Sequence, residues 1–169
     1  MMVRWSSASD LTIWTPDTDN SSGFLRINSG SEIVTGLVSK RGVLVWTDNA
    51  LTVLVYTGAP YFFGQKLVSA NTSIISPEAV IEIDEITWMG SQTFYFYDGT
   101  VKTLPSTLRE HVFKNLNIAQ RQKVFVDSNR GESEITWHYP TTGDEISHYV
   151  TYNYLQKIWY GGTEVRTAA

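Results

Sequence analysis

Three histidines and a small group of carboxylates are the residues of this sequence whose chemistry reaches beyond packing. His138 and His148 flank one polar connection, residues 138–145, and could meet across it. With Asp144 or Glu145 as a third ligand they would approach a zinc site. Partly exposed hairpin histidines are far commoner than zinc ligands, so the expectation is two solvent-facing imidazoles and no metal. His111 falls in a helical stretch, near but off its apolar stripe. Glu82, Asp84 and Glu85 form the densest acidic cluster. Glu82 and Asp84 share a face if residues 79–84 are a strand. Paired carboxylates of this kind serve glycoside hydrolysis or calcium binding. The plainer account is a solvated strand face running into a turn.

Nucleophilic chemistry has less to work with. A serine nucleophile needs a base and a carboxylate around it. The nearest approach to a nucleophile elbow is Gly30-Ser31-Glu32, which lacks the second glycine. Ser9-Asp10 followed by Thr12-Ile13-Trp14 faintly resembles the Asp box of sialidase-type propellers, without its glycine and one residue short. There is no metalloprotease helix motif, phosphate loop or dinucleotide fingerprint. The absence of cysteine removes disulfides, thiolate metal sites and cysteine nucleophiles. No catalytic, cofactor-binding or metal-ligating residue is therefore assigned, and the expectation is a protein without catalysis. Tyr95, Tyr97, Tyr152, Tyr154 and Tyr160 are candidates for stacking on sugars. Most should instead pack between sheets.

The composition sets the partners. Net charge is -4 over 169 residues, with no basic run. Nucleic acid as the main partner would need a clustered positive footprint, and a polybasic membrane contact would need the same. Lys40-Arg41 is two charges at a hairpin tip. No stretch is long and apolar enough to span a bilayer, and Met1-Met2-Val3-Arg4-Trp5 lacks the regions of a signal peptide. The sequons Asn20-Ser21-Ser22 and Asn71-Thr72-Ser73 are accordingly read as accidental.

The elements that would hold these residues are strands. Aromatics make up 13% of the chain, and aromatic and β-branched residues suit pleated, half-buried surfaces. Val43-Leu44-Val45-Trp46 is an apolar run ending in Trp, followed by the turn Thr47-Asp48-Asn49, the run 51–56, the turn Gly58-Ala59-Pro60 and the run Tyr61-Phe62-Phe63. The pattern returns with Glu85-Ile86-Thr87-Trp88, the run 93–97, the hairpin signal Asp98-Gly99 and the run 100–104 closed by Pro105. It returns again with Glu134-Ile135-Thr136-Trp137, the run 147–154 and Lys157-Ile158-Trp159-Tyr160 before Gly161-Gly162. In 147–154, Tyr149, Thr151 and Asn153 fall on one face, with His148, Val150, Tyr152 and Tyr154 on the other. A strand precedes each Trp run, at 32–38, 79–84 and 123–128. Trp46, Trp88 and Trp137 thus mark equivalent places about every 40–50 residues, the unit length of a four-stranded propeller blade.

The predicted fold is all-β: a single β-propeller-like domain over 1–169. It holds a partial blade at 1–30, blades at about 31–68, 69–105 and 121–166, and one helix inserted at about 106–118. Ser106 is placed to cap that helix, and Leu108, Val112 and Leu116 form its apolar stripe. An amphipathic helix of this kind usually packs on its own core.

The succession of motifs resembles a set found in large bacteriophage structural proteins. It comprises Val3-Arg4-Trp5-Ser6 with Trp14-Thr15-Pro16, Ser29-Gly30-Ser31-Glu32-Ile33, Leu44-Val45-Trp46-Thr47-Asp48, Trp88-Met89-Gly90, Phe96-Tyr97-Asp98-Gly99 and Val101-Lys102-Thr103-Leu104-Pro105. Val112-Phe113, Tyr149-Val150-Thr151-Tyr152-Asn153-Tyr154 and Ile158-Trp159-Tyr160-Gly161-Gly162-Thr163 complete it. These are similar to the β-propeller tail-hub and nozzle proteins of short-tailed phages. The resemblance implies a structural component of a virion tail, made in the bacterial host cytoplasm, whose partners are other tail or portal proteins and copies of itself. It carries over no catalytic residue. Its members are longer, which implies that this chain, closing on Thr167-Ala168-Ala169, is a segment or a short form completed by other chains. The alternative is a carbohydrate-binding propeller module for host attachment, presenting its aromatics to a host glycan.

Overall fold

The computed structural model describes residues 1–164; the end of the last expected blade, 165–166, and Thr167-Ala168-Ala169 lie outside the described residues. The protein is all-β, and its sheets are antiparallel throughout. It divides into two compact units, Met1–Thr72 and Ser73–Ala169.

The first unit holds a two-stranded ribbon, β1 (Met2–Trp5) with β2 (Gly23–Arg26), and a four-stranded sheet. The sheet runs in sequence order through β3 (Ile33–Ser39), β4 (Gly42–Thr47), β5 (Leu51–Gly58) and β6 (Phe62–Ser69). Ile27, Val45 and Leu54 form its buried cluster, with Val3, Leu25 and Phe63 packed against them. Trp5 meets Phe63 edge to face at 4.9 Å, and its indole N–H donates to the Ser21 carbonyl. Lys40-Arg41 is the two-residue tip of the β3–β4 hairpin, since Ser39 pairs with Gly42.

The second unit repeats the four-stranded meander twice. One sheet is β7 (Val80–Glu82), β8 (Ile86–Met89), β9 (Phe94–Tyr97) and β10 (Val101–Leu104). The other is β11 (Phe125–Asn129), β12 (Glu134–Pro140), β13 (Ile146–Asn153) and β14 (Ile158–Thr163). The two meet along their first strands, where the Val126 amide donates to the Glu78 carbonyl and the Ser76 hydroxyl to the Val124 carbonyl. The short helix α1 (Arg109–Asn115) and a 3-10 helix at Ile118–Lys123 connect them.

Trp46, Trp88 and Trp137 each stand on the second strand of a four-stranded sheet, and each is fully buried. The residue after each Trp, on the opposite face, is buried as well: Thr47, Met89 and His138. At its Trp, the second strand of each four-stranded sheet is therefore covered on both faces.

Four local expectations change. The third Trp strand does not stop at Trp137 but runs to Pro140, leaving only 141–145 as the loop. Pro140 is tolerated because the register shifts at Tyr139/Pro140, and a bulge does not need its N–H. Asp98-Gly99 does turn the β9–β10 hairpin, but over three residues, with Val101 paired to Tyr97. Only Gly99 takes a positive φ; Asp98 instead accepts from the Thr100 amide and hydroxyl and from Lys102 Nζ. The Lys102 ammonium, with these hydrogen bonds, holds the Asp98 carboxyl down to about 2. The helix is shorter than 106–118, because Ser106 accepts from the Leu108 amide in a turn before the helix rather than capping it. Val112 and Leu116 of the apolar stripe are buried as expected. Finally, β7 ends at Glu82, so Glu82 and Asp84 share no strand face; Asp84 and Glu85 sit in the exposed β7–β8 turn.

Candidate functional site

The richest concentration of polar chemistry lies on one face of the β11–β14 sheet. Period-two alternation sends Trp137, Tyr152 and Trp159 to the packed face, where Tyr152 and Trp159 lie 4.8 Å apart. The same alternation sends Asp127, Glu134, Thr136, His138, Tyr149, Thr151, Tyr160 and Glu164 to the other. Cross-strand pairing puts His138 beside Tyr149, Thr136 beside Thr151, and Thr151 beside Tyr160. These side chains line an open groove of about 500 Å³.

His138 is the centre of the groove and is only 2% exposed. Its ring stacks on Phe125 at 4.6 Å and an interplanar angle of 15°. Nε2 lies 3.2 Å from an Asp127 carboxylate oxygen, and Nδ1 lies 3.5 Å from a Glu164 carboxylate oxygen without a hydrogen-bond partner. The two ring nitrogens thus face different carboxylates on opposite sides. No group of three His, Asp or Glu side chains is placed to hold a metal ion among the described residues.

Glu134 accepts a short hydrogen bond from the Tyr160 hydroxyl. The Tyr160 phenol is pushed up to about 12, first by loss of hydration and then by its bond to Glu134 and that residue's negative charge. Because the folded value lies above the ordinary 10.0, the bonded phenol supports the fold fully below pH 10. That support is lost as pH rises through about 12. Glu134→Gln removes the charge and weakens the acceptor. The Tyr160 titration, followed by the NMR shift of its ring carbon bearing oxygen, should fall back toward the ordinary tyrosine value. An unmoved titration would mean that burial alone sets it.

The histidine pair expected to meet does not. Since His138 pairs with Tyr149 and Tyr139 with His148, the two imidazoles project from opposite faces of the hairpin. His148 Nδ1 lies 3.1 Å from the Thr141 hydroxyl and 3.0 Å from that of Ser147. Asp144 accepts from the Gln120 amide, and its carbonyl from Lys123, so it closes the loop onto the 3-10 helix. His111 packs against its own helix through Asn115. The expectation of a partly exposed His138 also fails. The sequence signal for its burial was present, in the equivalent positions Thr47 and Met89.

Ser31 donates from its amide and its hydroxyl to the Asp48 carboxylate, both at 2.7 Å, which holds that carboxyl below its usual range. This is a clamp between two turns of the first unit. Asp10 likewise accepts from the Thr12 amide and hydroxyl in a tight turn.

A second recess, about 480 Å³, collects Asp84, Glu85, Phe96, Tyr152, Tyr154 and Lys157. Of the acidic and aromatic candidates, Asp84, Glu85, Tyr152 and Tyr154 come together here, whereas Glu82, Tyr95, Tyr97 and Tyr160 do not line it. Tyr152 is largely buried, however, and the Lys157 ammonium lies over its ring at 5.9 Å. Lys102 lies over Phe96 at 5.6 Å.

No helix among the described residues is long and apolar enough to cross a membrane. No protein-family model matches the chain, and no curated protein matches its sequence.

Proposed function

We propose that this chain is a structural module of a larger assembly, the tail of a bacteriophage virion, built as a β-propeller-like array of four-stranded blades and acting through protein–protein contacts without catalysis. Three sheets of the same order, each with its Trp on the second strand, support the blade reading. So does the meeting of β7 and β11 edge to edge, since first strands of neighbouring blades are adjacent in a propeller.

The observation that carries the assembly role is the β5–β6 arm of the first unit. The inner half of β5 is buried, but Val55, Tyr56 and the following residues project beyond the covered part of the sheet. Tyr56 is 66% and Tyr61 80% exposed, and Leu67 on β6 is exposed as well. Among the described residues β6 pairs with β5 alone, which leaves its outer edge unpaired there beside this apolar surface. An unpaired edge flanked by exposed aromatics is a site that natural proteins cover or pair. Partners of this arm are other tail or portal proteins and copies of the same chain.

Light scattering across a dilution series tests the reading. A discrete oligomer is expected that dissociates on dilution and is weakened by Leu67→Lys at the edge. A compact monomer at every concentration, unaffected by that change, would overturn it. The second reading, glycan binding, would then take its place, because the recess of Asp84, Glu85, Phe96, Tyr154 and Lys157 combines ring faces with polar groups as sugar sites do. It ranks second because lysines already lie over two of its rings, Phe96 and Tyr152.

A further inference from the structure

A third recess of the second unit, about 550 Å³, is lined by α1 and by the packed face of the β11–β14 sheet. Val112 of α1, Val150 of β13 and the half-buried Trp159 of β14 make its walls apolar. Gly161 is the cross-strand partner of Val150 and lines the cavity without a side chain to fill it. Water against such walls is displaced favourably by an apolar guest, and the volume is that of an ordinary small-molecule site.

Two hydrogen-bond donors border this apolar space. Tyr139 is 1% exposed, and its hydroxyl forms no hydrogen bond among the described residues. That hydroxyl is not among the polar atoms sealed from solvent, so the surface it keeps opens on the cavity it lines. His148 is half-buried, and its Nδ1 lies 3.1 Å from the Thr141 hydroxyl and 3.0 Å from that of Ser147, both able to donate. A neutral ring that accepts at Nδ1 carries its proton on Nε2, the nitrogen away from these hydroxyls. The Tyr139 and His148 rings are 5.9 Å apart, so both donors border the same end of the cavity.

We infer that this cavity binds a small neutral aromatic carbonyl compound, its ring against Val112, Val150 and Trp159 and its carbonyl oxygen accepting from the Tyr139 hydroxyl and the His148 Nε2–H. A carbonyl oxygen has two lone pairs and can accept from both donors, whereas a hydrocarbon of the same shape leaves them unmet. A charged guest would have to shed its hydration against apolar walls. A flat ring suits a space bounded by the rings of Trp159, Tyr139 and His148. This site goes beyond the assembly reading and shares no residue with the β5–β6 arm.

The test uses the full chain with 13C-labelled valine methyls and 15N-labelled histidine. It is titrated with acetophenone and with α-methylstyrene, the hydrocarbon that carries a methylene in place of the carbonyl oxygen. Expected are saturable shifts at Val112 and Val150 with both probes, and at His148 Nε2 with acetophenone alone. Tyr139→Phe removes a hydroxyl that bonds nothing in the fold, so it should weaken acetophenone about fivefold and leave the hydrocarbon unchanged. Three results would overturn the inference: no saturable valine shift with acetophenone, a His148 Nε2 shift of equal size with both probes, or a Tyr139→Phe effect that does not distinguish them. Should that variant fail to fold, the His148 contrast between the probes decides alone. Loss of the solution oligomer would sink the assembly reading and leave this titration untouched.

Discussion

Trp137→Ala should destabilise the second unit by about 3–5 kcal/mol, among the largest single-residue effects in the chain. The indole is fully buried, and its ring centroid lies 5.0 Å from Phe94 and 6.0 Å from Trp159. Truncation to alanine removes most of an aromatic payload from the centre of a packed aromatic group. The surrounding strands cannot collapse into the space without breaking the β11–β12 and β12–β13 ladders. The lost indole hydrogen bond adds little, because the Ala79 carbonyl that accepts it also accepts from the Met89 amide and is not orphaned. Trp137→Phe should accordingly recover more than half of the loss. Urea unfolding of both variants, read by near-ultraviolet circular dichroism, checks this. A loss below about 1 kcal/mol for the alanine variant would mean that the indole is not packed as described.

The same three tryptophans explain why so much of the fold was legible. Trp46, Trp88 and Trp137 each follow a short β-branched run and precede a turn or polar stretch. A residue that large at a repeated place has one economical location, the covered strand of a repeated sheet. The polar turns then set the strand ends. Where sequence reasoning failed, a local residue had two permissible roles and a distant partner decided between them. Pro140 reads as the end of a strand, but a register shift against Ile146 lets the strand continue through it. Ser106 reads as a cap, but its hydroxyl is taken one turn too early.

The groove around His138 shows the limit more sharply. Its burial was legible in the repeat, because Thr47 and Met89 occupy the same place. Its two carboxylate neighbours were not, because Asp127 comes from the preceding strand and Glu164 from beyond the last one. Only the register of all four strands brings them to one imidazole. The recess with Asp84 and Tyr154 was half legible: the residue types were singled out, but their meeting depends on how the two sheets of the second unit lie together.

Gly42→Ala should cost the first unit about 2–4 kcal/mol, and a companion substitution separates the two reasons for it. Gly42 opens β4 at φ +124°, a backbone conformation that an L side chain adopts only with strain of about 1–3 kcal/mol. A Cβ at this position would also stand 2.4 Å from the Leu54 carbonyl oxygen. That atom belongs to the backbone of β5, so relief requires β4 to move away from β5, loosening Leu44, Val45 and Trp46 from Val53 and Leu54. Gly58 also has a positive φ, +79°, but nothing lies within 4 Å of its would-be Cβ. Gly58→Ala should therefore show the conformational cost alone, about 1 kcal/mol. Urea unfolding of the two variants under the same conditions gives the difference directly. Equal losses would mean that β4 and β5 separate without resistance at this end. A larger loss for Gly42→Ala would identify the β4–β5 contact as rigid, and with it the buried base from which the β5–β6 arm projects.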